Sequence, residues 1–273
     1  MIIDFHTHIF PEKIAEKTIS VLSEKGGIPA YSDGMLDGLL ASMKDADIDI
    51  SVVLPVVTAP KQFESIHRFA LEINEREYGE QKLISFGGIH PDTANYKEEL
   101  NFIASHGFKG IKLHPDYQQT FIDDIKYKRI ISYASELGLA IVTHAGFDVG
   151  YPELTHCTPD RTLEMIREVS PEKLVLAHMG GLNYWNQVEE LLVGENVYLD
   201  TAYVADEMSE EQFIRIVKNH GTDKVLFASD SPWKPQKKLV ADVKALCAKM
   251  DFAEEAEEMI MSRNGLKLLG ISK

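Results

Sequence analysis

Six of the ten histidines in this chain stand at the ends of short apolar runs. They are His6 and His8 in IIDFHTH, His90 after LISFGGI, His114 after KGIKL, His144 after LAIVT and His178 after KLVLA. Asp230 holds the same position in KVLFASD. Imidazole nitrogens and carboxylate oxygens together are the donor set of zinc and related divalent ions. His6 and His8 are two residues apart, so on an extended strand both point to one side. Asp4 shares that parity and is expected to orient one of the two rings from below. An HxH pair alone is a weak signal. It gains force because His144, His178 and Asp230 fall at equivalent places on later runs.

The expected metal ligands are therefore His6, His8, His144 and Asp230, with Asp230 also able to take a proton from a bound water. The competing role for Asp230 is a helix N-cap. Ser231 and Pro232 follow it, however, and offer a cap and a first turn of their own. His178 lies in LAHMGG, where two glycines let backbone approach a ligand, and it is expected to act as acid/base or as a second-site ligand. Asp230 and His178 are the expected catalytic pair. Lys112 and His114 share one face of GIKLHP and are candidate additional metal or substrate contacts, as is Trp233 beside Asp230. His67, His106, His156 and His220 are expected to be ordinary surface or helix residues, and His90 is a weak candidate.

These residues need a scaffold that brings strand ends together. Eight apolar runs recur along the chain, at 2–6, 50–56, 83–89, 109–114, 139–144, 173–178, 196–201 and 224–230. Most lack strict alternation, as strands buried on both faces do. Amphipathic stretches lie between them, at 41–47, 63–78, 100–106, 127–137, 161–169, 185–192, 210–220 and 237–250. Ser209 with Gln212 has capping-box spacing. Thr158 before Pro159 reads as an N-cap and first-turn proline. The segment 9–37 is long for a loop and should add helix. Strand and helix alternating eight times predict α/β structure closed as a (β/α)8 TIM barrel, a single domain over 1–273, with catalytic groups at the C-terminal strand ends. No GxGxxG or GxxxxGK[ST] follows a strand, which removes the main support for a nucleotide-binding open sheet.

Composition narrows the partners. Lys and Arg total 28 against 43 Asp and Glu, a net charge of -15. Such a surface repels nucleic acid and anionic membranes. No apolar run is long enough to cross a membrane, and the N-terminus lacks the basic and apolar regions of a signal peptide. Two distant cysteines, Cys157 and Cys247, read as reduced thiols, so a cytoplasmic protein acting on a small molecule is expected.

With these residues assembled, the chain resembles the amidohydrolase superfamily, in its amidohydrolase-related (ACMSD-like) branch. DFHTH, GIKLHP, VTHAG, LAHMGG, YLDT, VLFASDSPW and the closing NGLKLLG carry the resemblance along the full length. It implies that His6 and His8 are the strand-one metal pair, His144 the strand-five ligand, and Asp230 the strand-eight ligand and proton shuttle. His178 would bind a second metal or move protons, and Lys112 falls where binuclear members carry a carboxylated lysine. A single divalent ion is expected, zinc first and manganese as the alternative, and the resemblance admits a homo-oligomer.

The expected chemistry follows from the donors. A cation with an open position lowers the pKa of bound water to about 7. Asp230 or His178 accepts the proton, and hydroxide attacks an amide, ester or lactone. The alternative is a lyase, a decarboxylase or hydratase, which needs a cation near the substrate carboxylate. Lys112, Lys234 and Arg68 are its candidates. A barrel that binds without turnover is the third reading.

Overall fold

The structure, a computed structural model, describes residues 1–271. Within it the chain forms two compact units. One comprises Met1–Val53, Arg76–Ile84 and the chain from Asp200 onward; the other comprises Leu54–Glu75 and Ser85–Leu199. The strand pairings described below are parallel, and helices separate the paired strands in sequence. No helix among the described residues is long and apolar enough to cross a membrane.

The first unit is organised around β1 (Ile3–Thr7), every residue of which is buried. On one side it pairs with β2 (Ile50–Val53), Ile3 opposite Ile50 and Thr7 opposite Val53, and Thr7 Oγ1 donates to Val52 O at 2.9 Å. On the other side lies the chain that follows Val225–Leu226. Phe5 N donates to Phe227 O, Asp230 N to His6 O and His8 N to Ser231 O, at 2.9, 2.9 and 2.7 Å. This register brings the ends of the two segments level. The segment expected to add helix does so, over Glu12–Gly26. Ser209 caps Glu210–His220 by accepting from Gln212 N at 3.2 Å, as its spacing predicts.

The third apolar run breaks into two strands, β3 (Lys82–Ser85) and β4 (Gly87–Gly88). Asn74 supplies the reason. Its side-chain amide accepts from Ser85 N at 2.7 Å and donates to Ser85 O at 3.0 Å, so a side chain takes the bonds a neighbouring strand would use. In the second unit β4 pairs with β5 (Gly110–Leu113), β5 with β6 (Ala140–Thr143), and β6 with β7 (Leu174–Leu176). β7 then pairs with β8 (Tyr198–Asp200). The eighth apolar run forms β9 (Val225–Leu226). Strands β5 to β8 are buried throughout, which explains why their sequences do not alternate.

His67, expected to be an ordinary surface or helix residue, lies on the helix Phe63–Glu75 and is buried there. Its Nδ1–H donates to Phe63 O at 2.7 Å, and its Nε2 accepts from Gly88 N at 3.3 Å. Burial pushes the imidazole down to about 4 from its ordinary 6.5. A base held below its unfolded value contributes stability above that value and loses it as pH falls, because the unfolded chain takes up the proton first. Urea denaturation should therefore show stability draining between pH 6.5 and 4, by on the order of 3 kcal/mol from this group. A His67→Gln variant should have a shallower acid slope, and an unchanged slope would refute the assignment.

Gly146, two residues past His144, meets another constraint. Its φ is +85°, and a Cβ there would lie 2.1 Å from Leu182 N. The same Cβ would lie 2.6 Å from Leu182 O, and that backbone is held in place by Leu182 N donating to Ala145 O and Phe147 N donating to Leu182 O, at 3.0 and 2.9 Å. Gly146→Ala should lower stability by about 2 kcal/mol or more, read from thermal melts.

Candidate functional site

In the first unit His6, His8 and Asp230 come together at the C-terminal end of β1. His6 Nε2 is 3.1 Å from His8 Nε2, and Asp230 Oδ1 is 3.6 Å from the first and 3.2 Å from the second. The other His6 nitrogen settles its tautomer. Nδ1 stands 2.9 Å from Asp200 Oδ2, a carboxylate with no exposed surface. With the proton on Nδ1 and donated to Asp200, Nε2 presents a lone pair towards His8 and Asp230. Ligand atoms around one tetrahedral zinc stand roughly 3.3 Å apart, so these separations suit a single divalent ion.

Asp200 is the residue that sequence reasoning missed, although its segment YLDT contributed to the resemblance. Asp4 was expected in its place. Instead, Asp4 accepts from Ser229 N at 2.9 Å, Ser229 Oγ at 2.6 Å and Gln236 Nε2 at 2.7 Å. It also accepts from the His6 backbone N–H, at 3.3 Å. Its parity is right, but its carboxylate serves the strand register. Burial pushes that carboxyl up to about 6.

Asp230 is not a helix cap: the next helix is Gln236–Cys247, preceded by Pro235. Nor does Pro232 start a turn of that helix. Trp233 is half-buried and donates its backbone N–H to Asp230 O at 2.8 Å. Lys234 is engaged by Asp206 at 2.7 Å and Glu207 at 3.1 Å, and lies 4.2 Å from the centre of the Tyr203 ring. Arg68 is exposed on the helix Phe63–Glu75.

The second unit holds a group of its own. His114, His144 and Asp148 are all buried, with His114 Nε2 3.5 Å and His144 Nε2 3.9 Å from Asp148 Oδ2. His144 Nδ1 is 3.1 Å from His178 Nε2. Asp116 Oδ2, fully buried, is 3.8 Å from His144 Nε2. The donor types again suit a metal, but the tautomer at His114 does not. Tyr117 N–H donates to His114 Nδ1 at 3.4 Å, which leaves the ring proton of neutral His114 on Nε2, facing Asp148. Neutral His114 thus carries its ring proton on the nitrogen 3.5 Å from Asp148 Oδ2.

His156 is a correction. Expected to be an ordinary surface or helix residue, it is buried and outside any helix, and both its backbone N–H and its Nδ1 lie 2.9 Å from Asp116 Oδ1. Burial nevertheless raises the Asp116 carboxyl above its ordinary range. Gln118 ties the loops of this unit: it donates to Val57 O and Ile89 O at 2.7 and 2.8 Å and accepts from His114 N at 3.1 Å. Lys112 is buried on β5, between Gly88 of β4 and Val142 of β6. His90 is buried as well, with its Nδ1 accepting from Asp92 N at 3.1 Å.

His178 and Asp230, the two expected proton carriers, share a backbone feature. Both are non-glycine residues with left-handed φ, 58° and 67°. Such residues cost about 1 kcal/mol or more and cluster at functional sites. At His178 the left-handed run continues through Met179 and Gly180. A Cβ on Gly180 would press on Val188 and Leu199 at 3.1 and 3.2 Å, so this glycine of LAHMGG serves the turn and its packing.

Comparisons with known proteins bear on the fold and the family. No curated protein sequence matches the chain. Among solved structures, the 5-carboxyvanillate decarboxylase LigW of Sphingomonas paucimobilis is similar at a TM-score of 0.71 and 15% identity, over 100% of this chain and 99% of that one. A TIM-barrel protein of Bordetella bronchiseptica is similar at 0.73 and 16%, over 98% of each chain. A dihydroxybenzoic acid decarboxylase of Polaromonas sp. JS666, with bound manganese and the inhibitor 2-nitroresorcinol, is similar at 0.72 and 15%, over 98% and 96%. The fold is accordingly an α/β TIM barrel. The amidohydrolase family model Amidohydro_2 matches residues 3–271, and the chain belongs to that family.

Proposed function

We propose that this protein is a metal-dependent decarboxylase of a small carboxylic acid, with aromatic acids as the substrate class, acting through one domain spanning 1–273. The likeness to two decarboxylases along nearly the whole chain carries this reading. It puts the lyase ahead of hydrolysis, the reverse of the order expected from the sequence.

His6 Nε2, His8 Nε2 and Asp230 Oδ1 would hold the ion, and we retain His144 as the fourth ligand that the resemblance implies. A divalent ion there, zinc or manganese, supplies positive charge and an open position for substrate oxygens. Asp200 keeps the His6 proton on Nδ1 and so keeps the Nε2 lone pair available. The bond between the substrate carbon and its carboxylate breaks, and the electron pair stays on that carbon. Asp230 or His178 in its protonated form delivers a proton there, and carbon dioxide leaves. Neither route needs a redox partner. The family description favours a second reading, in which Asp230 takes a proton from water and an amide, ester or lactone is hydrolysed.

Metal analysis on protein purified without chelator should find about one zinc or manganese per chain. Absence of both, with no activation on adding either, would sink the reading. Asp200→Asn should weaken zinc binding about 10- to 100-fold in a chelator competition. The metal-loaded protein should release carbon dioxide from some member of a hydroxybenzoate panel, and Asp230→Asn should cut that turnover about 100-fold or more. Hydrolysis of lactones or esters with no carbon dioxide from any acid would favour the second reading.

A further inference from the structure

His114 is held on every side. One face stacks on the Tyr117 ring, centroids 3.9 Å apart and planes 25° from parallel. It also stacks with His144, at 4.4 Å and 3°. In its own plane, Nδ1 accepts from Tyr117 N–H at 3.4 Å and Nε2 faces Asp148 Oδ2 at 3.5 Å. Asp148 is itself fixed, accepting Gly150 N–H at 2.7 Å. At the backbone, His114 N donates to Gln118 Oε1 at 3.1 Å, and Gln118 also anchors Val57 and Ile89. Few degrees of freedom remain to a buried ring held at both nitrogens and stacked. Its near-parallel contact transmits that restraint to His144, whose Nδ1 meets His178 Nε2 at 3.1 Å.

We propose that His114 is a positioning residue: it contacts neither metal nor substrate, and its ring sets the plane of the His144 imidazole. The stack offers a flat surface that a rotated His144 would lose. Offset or parallel aromatic contacts are worth about 0.5–1.5 kcal/mol beyond burial, enough to favour one ring orientation about threefold to tenfold. Asp148 and Tyr117 act one step further out, by keeping the His114 ring from turning. The proposal rests on the reading of His144 as a site residue, although the stack itself does not.

Three variants and two readouts test it. In ion-free protein, the His144 ring protons are assigned by their absence in His144→Gln, and their ring-current shift from His114 is measured by NMR. In zinc-loaded protein, metal affinity is measured by chelator competition. His114→Ala should remove the ring-current shift and weaken zinc binding about threefold to tenfold. His114→Phe keeps the stack without the nitrogens, so it should retain a shifted His144 signal and near wild-type affinity. An His114→Phe variant as weak as His114→Ala would overturn the proposal, because hydrogen bonding at the nitrogens would then be what matters. So would an unmoved His144 signal in His114→Ala. If His144→Gln leaves zinc affinity intact, the ligand reading of His144 fails, and the ring-current comparison alone decides the positioning role.

Discussion

A buried carboxylate at the base of β1 sets the register on which the first-unit donors depend. Asp4 accepts the Ser229 backbone and hydroxyl, the Gln236 amide and the His6 N–H. These bonds lock β1 against the chain that carries Asp230. A one-residue slip in a parallel pair turns every side chain to the opposite face. In the register observed, Asp230 N meets His6 O and Ser231 O meets His8 N, which leaves His6, His8 and Asp230 as one cluster. Burial still raises the Asp4 carboxyl to about 6, so its four hydrogen bonds offset only part of the desolvation cost. The chain tolerates a costly group where it specifies geometry.

Hydrogen bonds to the far nitrogen then decide what each imidazole can do. At His6 the far nitrogen gives its proton to Asp200, and the near one is left as a lone-pair donor. At His114 the far nitrogen accepts a hydrogen bond from a backbone N–H, and the near one keeps the ring proton. Both rings belong to groups of His and Asp that are compact enough for an ion. Their chemistry diverges because one partner is a carboxylate and the other an amide N–H.

The donor set by itself does not separate hydrolysis from decarboxylation. Both reactions need a positive charge beside a substrate oxygen and a group that moves one proton, and they differ in where that proton goes. Hydrolysis takes it from water first, whereas decarboxylation delivers it to carbon. In the proposed function His178 or Asp230, each on a left-handed backbone, carries that proton in either direction. The distinction lies in the shape and charge of the substrate site, a property of loops more than of strands.

Much of this was legible in the sequence, and for identifiable reasons. Buried parallel strands impose continuous apolar runs, so the strand positions could be read along the chain, and function at strand ends made His6, His8 and Asp230 stand out. Their two-residue spacing determined that His6 and His8 share a face. What sequence could not supply were partners chosen across long separations. Asp200 reaches His6 over 194 residues. Asn74 splits the third strand by pairing with Ser85. His67 and His156 are buried because Gly88 and Asp116 meet them from other segments. Residue type and spacing determine which groups can act. Tertiary structure decides which proton each one holds, because that depends on the atom facing the other nitrogen.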